Sequence, residues 1–292
     1  MKKTNEWTTA AQFLALPFLI YTAILIFPYL WTVYFSFTDW NGISADYNMV
    51  GLKNYLNIFS DSGFSQAFWH NLVWIVIFLT VPTTLGLVLA IFLDKNPVGV
   101  SVFKTVFYFP MVLSYVIVGM IWTFVYEPRL GILNLALRAL GLEELAIAWL
   151  AEPNTALLSI IVAASWQHVG LCMVLFLAGL ATIREELIEA ARIDGCNAWQ
   201  LHMRIIIPQL RHVSVVVVSL SVVLALKNFD IVYITTKGGP HRASEILTTF
   251  MFRQAFWNYR MGYASAVANI LFLLVIVVIA IYLRQVLKKD EL

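Results

Sequence analysis

An all-α membrane protein with six transmembrane helices is the fold class this sequence predicts, and three observations carry it. Of its 292 residues, 61% are hydrophobic and only 12% charged, against about 25% charged in an average soluble domain. A soluble fold of this length could not hide so much apolar side chain, whereas a bilayer leaves the outer surface free to be apolar. Six segments meet the length of about 20 mainly apolar residues that a membrane helix needs. Runs such as Leu271-Phe272-Leu273-Leu274-Val275-Ile276-Val277-Val278-Ile279 do not alternate, which excludes the strands of a membrane β-barrel.

The first span is Ala10–Phe37, too long for the apolar core of a signal peptide despite Lys2-Lys3 before it. It is expected to stay uncleaved. The second is Ala67–Leu93, with His70 as its titratable group. The third is Thr105–Tyr126 and the fourth Thr155–Ile183, containing His168. The fifth, Val213–Thr236, is interrupted by Lys227 and Asp230, and the sixth is Ala264–Leu283. Together they make one transmembrane domain over residues 1–292. Leu130–Leu137 reads as a short amphipathic helix on the outer surface, and Gly238-Gly239-Pro240 as a turn beyond the fifth span.

Basic residues orient the spans. With both ends inside, the inner segments hold Lys2, Lys3, Lys95, Lys104, Arg184, Arg192, Arg204, Arg211, Arg284, Lys288 and Lys289, which is 11 of the 19 Lys and Arg. The outer loops hold Lys53, Arg129, Arg138, Lys237, Arg242, Arg253 and Arg260, and Lys227 lies within a span. Both termini are therefore expected in the cytoplasm. The net charge of +2 points to no nucleic acid. Cys172 lies in a span and Cys196 in the loop beyond it, too far apart along the rise of a helix to be joined. Two thiols make no metal site.

Most of the informative polarity lies between the fourth and fifth spans. Arg184–Arg192 is rich in helix formers, with acidic residues first and Arg192 last, which suits the helix dipole. Gly195 is a natural stop. Asn197 can cap a second helix, and Pro208 marks the entry of the fifth span. The result is a helix–turn–helix over 184–208. Taken alone, it could equally be a solvated connection.

Its spacing resembles the signature of permease subunits of binding-protein-dependent ABC importers: Glu-Ala-Ala, three residues, Gly, nine residues, Ile, one residue, Leu-Pro. Glu189-Ala190-Ala191, Gly195, Ile205 and Ile207-Pro208 stand at that spacing, with Ile207 in place of the usual Leu, a swap that conserves volume. Ser36-Phe37-Thr38-Asp39-Trp40, Val50-Gly51-Leu52-Lys53-Asn54-Tyr55, Gly238-Gly239-Pro240 and Met261-Gly262-Tyr263-Ala264-Ser265-Ala266 resemble the branch that imports maltose, glycerol-3-phosphate and multiple sugars.

The resemblance implies the type I permease fold, with a coupling helix pair that docks on a cytoplasmic ATPase. It assigns Glu189, Ala190, Ala191, Gly195, Ile205 and Pro208 to that coupling. Bottom-up alone, Glu189 could equally pair with Arg192 at i,i+3. The chain has no Gly-x-x-x-x-Gly-Lys-[Ser/Thr] sequence and no His-Glu-x-x-His sequence, so it is not itself the ATPase, and no cofactor is expected on it. ATP and magnesium belong to the partner. The implied partners are two ATP-binding subunits, a second permease subunit as a heterodimer, an extracytoplasmic solute-binding protein and membrane lipid. The implied location is the bacterial plasma (inner) membrane. A stand-alone secondary transporter or channel, or the same role with a non-sugar solute, is the alternative.

Charged groups inside a span are costly and often functional. Lys227 and Asp230 are spaced i,i+3 and can pair; alternatively Lys227, Asn228 and Asp230 line a path for polar solute. Gln167 and His168 in the fourth span are the next candidates for that path.

Overall fold

The computed structural model describes residues 6–95 and 98–287. Lys2, Lys3, Lys288 and Lys289 of the charge argument lie outside them. In chain order the helices are α1 Glu6–Tyr21, α2 Phe27–Phe35, α3 Lys53–Ser60, α4 Ser62–Asp94, α5 Val100–Val112, α6 Tyr115–Val125, α7 Ile132–Ala139 and α8 Ala156–Leu180. There follow α9 Glu185–Ile193, α10 Ala198–Gln200, α11 Ile207–Gln209, α12 Arg211–Lys227, α13 Phe229–Thr235, α14 Leu247–Phe252 and α15 Met261–Leu287.

Four helical stretches are long and apolar enough to cross a membrane: Phe13–Phe35, Ser62–Asp94, Ala156–Leu180 and Met261–Arg284. Two further pairs qualify jointly but are bent, by 104° between α5 and α6 and by 69° between Ala198–Gln209 and α12. Among the described residues the number of spans is thus four, or up to six if each bent pair is one span. The third span expected over 105–126 is bent in the middle. Pro110 lies inside α5, where its missing N–H affects the turn before it, and the break comes after it. Leu113 and Ser114 turn extended, with ψ 148° and 153°, and the Ser114 hydroxyl caps α6 by accepting from the Ile117 N–H. The expected fifth span over 213–236 is also divided, because Asn228 leaves the helix at ψ 60°.

Proline shapes two more places. Before Pro28 the first helix widens into a π turn at Thr22–Ile26, with the Phe27 N–H reaching back to the Thr22 carbonyl. Before Pro208 a second π turn covers Leu201–Ile206, and the Ile207 N–H reaches the His202 carbonyl. A proline ring clashes with the carbonyl four residues earlier, and the wider turn makes room for it.

The chain divides into two contact units, Met1–Asp61 with Met251–Phe272, and Ser62–Phe250 with Leu273–Leu292. In the first, the buried Asn54 amide donates to the Ser36 and Thr38 carbonyls at 2.9 and 2.8 Å. The Tyr55 hydroxyl lies 2.8 Å from the Ser36 hydroxyl and accepts from Asn269 Nδ2 at 3.0 Å. The Gly262 N–H donates to the Trp40 carbonyl at 2.9 Å. A Cβ on Gly262 would collide with the Thr38 carbonyl.

The second unit is built around α8, whose span is 61% buried. Trp74, Phe78, Val118, Ile160, Ile161 and Ile231 form one core cluster. Buried Asn71 on α4 donates to the Ala225 carbonyl at 3.0 Å and accepts from the Leu247 N–H at 2.8 Å, so one amide fastens three helices. Where α4 crosses α8, a Cβ on Gly86 would press into Cys172 Cβ and approach the Met173 nitrogen at 2.9 Å. Gly86→Leu is expected to destabilise the chain by about 1–3 kcal/mol, the usual range for overpacking. Thermal unfolding in detergent measures it, and an unchanged midpoint would disprove the tight crossing. Cys172 and Cys196 are both free.

Candidate functional site

The connection after α8 is a defined helix–turn–helix. Glu185 and Glu186 open α9 and Arg192 closes it, each charge placed favourably for the helix dipole. Arg184 and Glu186 approach to 4.0 Å, but both are exposed and the pair contributes little. The Cys196 N–H donates to the Ala191 carbonyl at 3.0 Å and the Gly195 N–H to the Arg192 carbonyl at 3.1 Å. This is the Schellman pattern, which needs a left-handed residue at its turn. Gly195 supplies it at φ +80°, with nothing within 4 Å of a Cβ placed there. Glycine is therefore required by the backbone and not by space. Asn197 then forms a full capping box with Gln200: Asn197 Oδ1 accepts from the Gln200 N–H at 2.9 Å, and Gln200 Oε1 from the Asn197 N–H at 3.0 Å.

One face of this element is apolar and turned inward. Ala191, Leu201 and Ile206 are buried with Ala90, Phe176, Leu180 and Leu210, and Ile188 and Ile205 pack against them. The helix pair is therefore seated on the ends of α4 and α8 and the start of α12. Of the residues assigned to coupling, Glu189 and Ala190 face outward, while Ala191 and Ile205 belong to the seat. Gly195 makes the turn, and Pro208 follows the π turn that aims the chain into α12. Ile193, 85% exposed, Trp199, 70% exposed, and Met203, 42% exposed, are also outside that seat. Sequence reasoning missed these three. The signal was apolar residues falling outside the Ile188–Ala191 and Leu201–Ile205 stripe, and it becomes readable only once the seated face is known.

The second cluster is the interruption at Asn228. The Lys227–Asp230 pair expected from i,i+3 spacing does not form. Helix α12 ends at Lys227 and α13 begins at Phe229, so the two residues no longer share one helical face. Neither Lys227 nor Asp230 is in a salt bridge among the described residues. Lys227 and Asp230 are exposed on the chain, whereas Asn228 is 4% exposed and its Nδ2 has no acceptor.

Gln167 and His168 are turned into the interior. Gln167 Nε2 donates to the Leu113 carbonyl and so satisfies a group freed by the α5–α6 break. His168 Nε2 lies 2.8 Å from the Ser221 hydroxyl, and its ring stacks on Phe78 at 4.5 Å between centroids. The Ser221 hydroxyl also lies 2.8 Å from the Val217 carbonyl. Lys227, Asn228 and Asp230 thus gather at one break, while Gln167 and His168 lie apart from it on α8, bonded to Leu113 and Ser221.

Residues 82–290 match the family model described as binding-protein-dependent transport system inner membrane component. The osmoprotective compounds uptake permease protein GgtC of Synechocystis is 37% identical over 94% of this chain and 97% of that protein. The xylose/arabinose import permease protein XacH of Haloferax volcanii is 34% identical over 99% of this chain and 91% of its own. A chain of the bacterial alginate ABC transporter, solved with a periplasmic protein bound to an alginate pentasaccharide, superposes with a TM-score of 0.82. That match covers 97% of this chain and 96% of the other at 20% identity, which speaks to the fold. An all-α, multi-pass membrane fold, a helix–turn–helix bearing the coupling signature and a family match over residues 82–290 agree: the chain belongs to the inner membrane components of binding-protein-dependent transport systems, the permeases that work with a separate ATPase in ABC importers.

Proposed function

We propose that this permease imports a carbohydrate, with each bent helix pair counting as one span, six in all, and both termini in the cytoplasm of a plasma membrane. Two ATP-binding subunits, a second and different permease chain and an extracytoplasmic solute-binding protein complete the assembly. The 184–208 helix pair is the coupling element. The observation that carries this reading is its two-sidedness: an apolar face seated on the span ends, and opposite it Ile193 and Trp199 exposed on an otherwise polar loop. Large apolar side chains so displayed mark a protein interface, and a stiff pair seated on the spans can pass on a push from the ATPase.

Lys227, Asn228 and Asp230 line the solute path. Helix interruptions are where backbone and polar side chains become available inside a membrane. Phe229 and Tyr233, stacked at 5.0 Å, are the aromatic neighbours that such a path for sugars would use. Gln167 and His168 are the next candidates for that path. A sugar is favoured by the named substrate of XacH. The name of GgtC favours a second reading, an osmoprotective solute carried in the same way.

Trp199→Ala with Ile193→Asp is expected to reduce recovery of the ATPase in a mild-detergent pull-down about ten-fold, with the permease still in the membrane. Losing one buried aromatic anchor costs about 2 kcal/mol or more at a protein interface. Full recovery of the ATPase would reject this face as the docking surface. Solute movement by the chain alone, without ATP, would favour a stand-alone transporter.

A further inference from the structure

Three segments resembling the sugar-importer branch, around Thr38, Asn54 and Gly262, meet within the first contact unit. There they enclose a recess of about 250 Å³ lined in part by Asp39, Trp40, Lys53, Asn57, Tyr259 and Arg260. The coupling loop and the Asn228 break make no use of it. We propose that this recess holds the phosphodiester headgroup of a membrane phospholipid, with Lys53 and Arg260 as its two cationic contacts.

Charge is the first argument. Lys53 and Arg260 make no ion pair within 4 Å among the described residues. The Arg260 guanidinium carbon lies 4.3 Å from the Tyr263 ring centroid. Asp39 is the carboxylate of the recess, and it is already occupied. The Asn48 N–H donates to its Oδ1 at 2.6 Å and Asn48 Nδ2 to its Oδ2 at 3.1 Å. Those bonds, with a smaller contribution from the Lys53 charge, hold the Asp39 carboxyl below its ordinary range. Two cations face one satisfied anion, so the recess is short of negative charge.

The second argument is the surface beside it. Helix α3 turns Asn54 and Ile58 inward and exposes Leu52, Leu56 and Phe59 at 62%, 69% and 80%. These three lie at i, i+4 and i+7, one apolar stripe. A short helix with such a stripe next to Lys, Arg, Trp and Tyr has the composition of an element at the headgroup–acyl boundary. The phosphate then sits between Lys53 and Arg260 while an acyl chain runs along the stripe. Tyr259, at φ +52°, is held in a conformation that bulky residues rarely adopt, and it closes one wall. The orientation proposed above decides only the leaflet, which is the outer one.

The test is native mass spectrometry of the full chain with its partner subunits, delipidated and titrated with phosphatidylglycerol. A basic residue near a membrane surface contributes about 1 kcal/mol toward an anionic lipid. Lys53→Gln and Arg260→Gln are therefore each expected to weaken binding about five-fold, and the double variant about 30-fold. Lys53→Arg retains it. Equal binding of a phosphate-free glycolipid would overturn phosphate recognition. Binding of soluble glycerol phosphate as tightly as the lipid would make the ligand a free anion and overturn the lipid. Unchanged lipid binding in the double variant, with loss of a co-purifying solute-binding protein, would reassign the recess to that protein.

Discussion

Gly195→Val should abolish ATP-driven uptake while the chain still reaches the membrane. A side chain at φ +80° costs roughly 1–2 kcal/mol for an ordinary L-residue, and a β-branched one is a genuine outlier there. Nothing crowds the site, so the whole penalty falls on the turn. The cheapest escape is to leave the left-handed conformation, which breaks the Cys196–Ala191 and Gly195–Arg192 hydrogen bonds and swings α10 away from α9. Ile193 and Trp199, on either side of the turn, are then displaced relative to each other. Gly195→Asn is the control, because asparagine tolerates this conformation better than most residues. We expect at least a ten-fold drop in uptake for valine and a small one for asparagine. Solute uptake in vesicles, with solute-stimulated ATP hydrolysis in parallel, measures both. Equal activity of the two variants would show that coupling does not depend on this turn.

The second large effect is expected at Asn228, where stability and transport should move in opposite directions. Its buried Nδ2 lacks an acceptor, and an unmet buried donor costs about 1–3 kcal/mol. Asn228→Leu removes that cost and should raise the unfolding midpoint. It also removes the group proposed to meet a solute hydroxyl, for an expected loss of about ten-fold in uptake, the equivalent of one hydrogen bond near the strong end of the usual range. Thermal unfolding in detergent and initial uptake rates decide the matter. A variant that is less stable yet transports normally would mean that Asn228 only supports the helix interruption.

The apolar runs are legible in the sequence because membrane burial is a matter of composition and length. Local chemistry was legible too: Gly195 at a turn and Asn197 at a cap act through neighbours a few residues away. The breaks were not. The hydrophobic run continues through Leu113 and Ser114, and a membrane helix tolerates a break when another helix satisfies the freed carbonyl. Here that helper is Gln167, 54 residues further along. His168 and Ser221 are likewise 53 residues apart, so the polarity of Gln167 and His168 could be seen but not its use. At Lys227 and Asp230 the charges were visible, and an unbroken helix was the wrong template for them. The outward position of Trp199 depends on which face meets α4 and α8, which no local pattern specifies.

The wide turn at Leu201–Ile206 has a consequence for anyone exchanging parts between permeases. One inserted residue advances a helix by about 100° around its axis. The loop and the helix that follows it are therefore phased to each other through that extra residue. A chimera that joins this loop to a span from a protein with a regular turn at the same place would rotate the span by that angle. It would present a different line of side chains to its neighbours, even with every signature residue retained. Splice points placed before Ala198 or after Arg211 keep the phase.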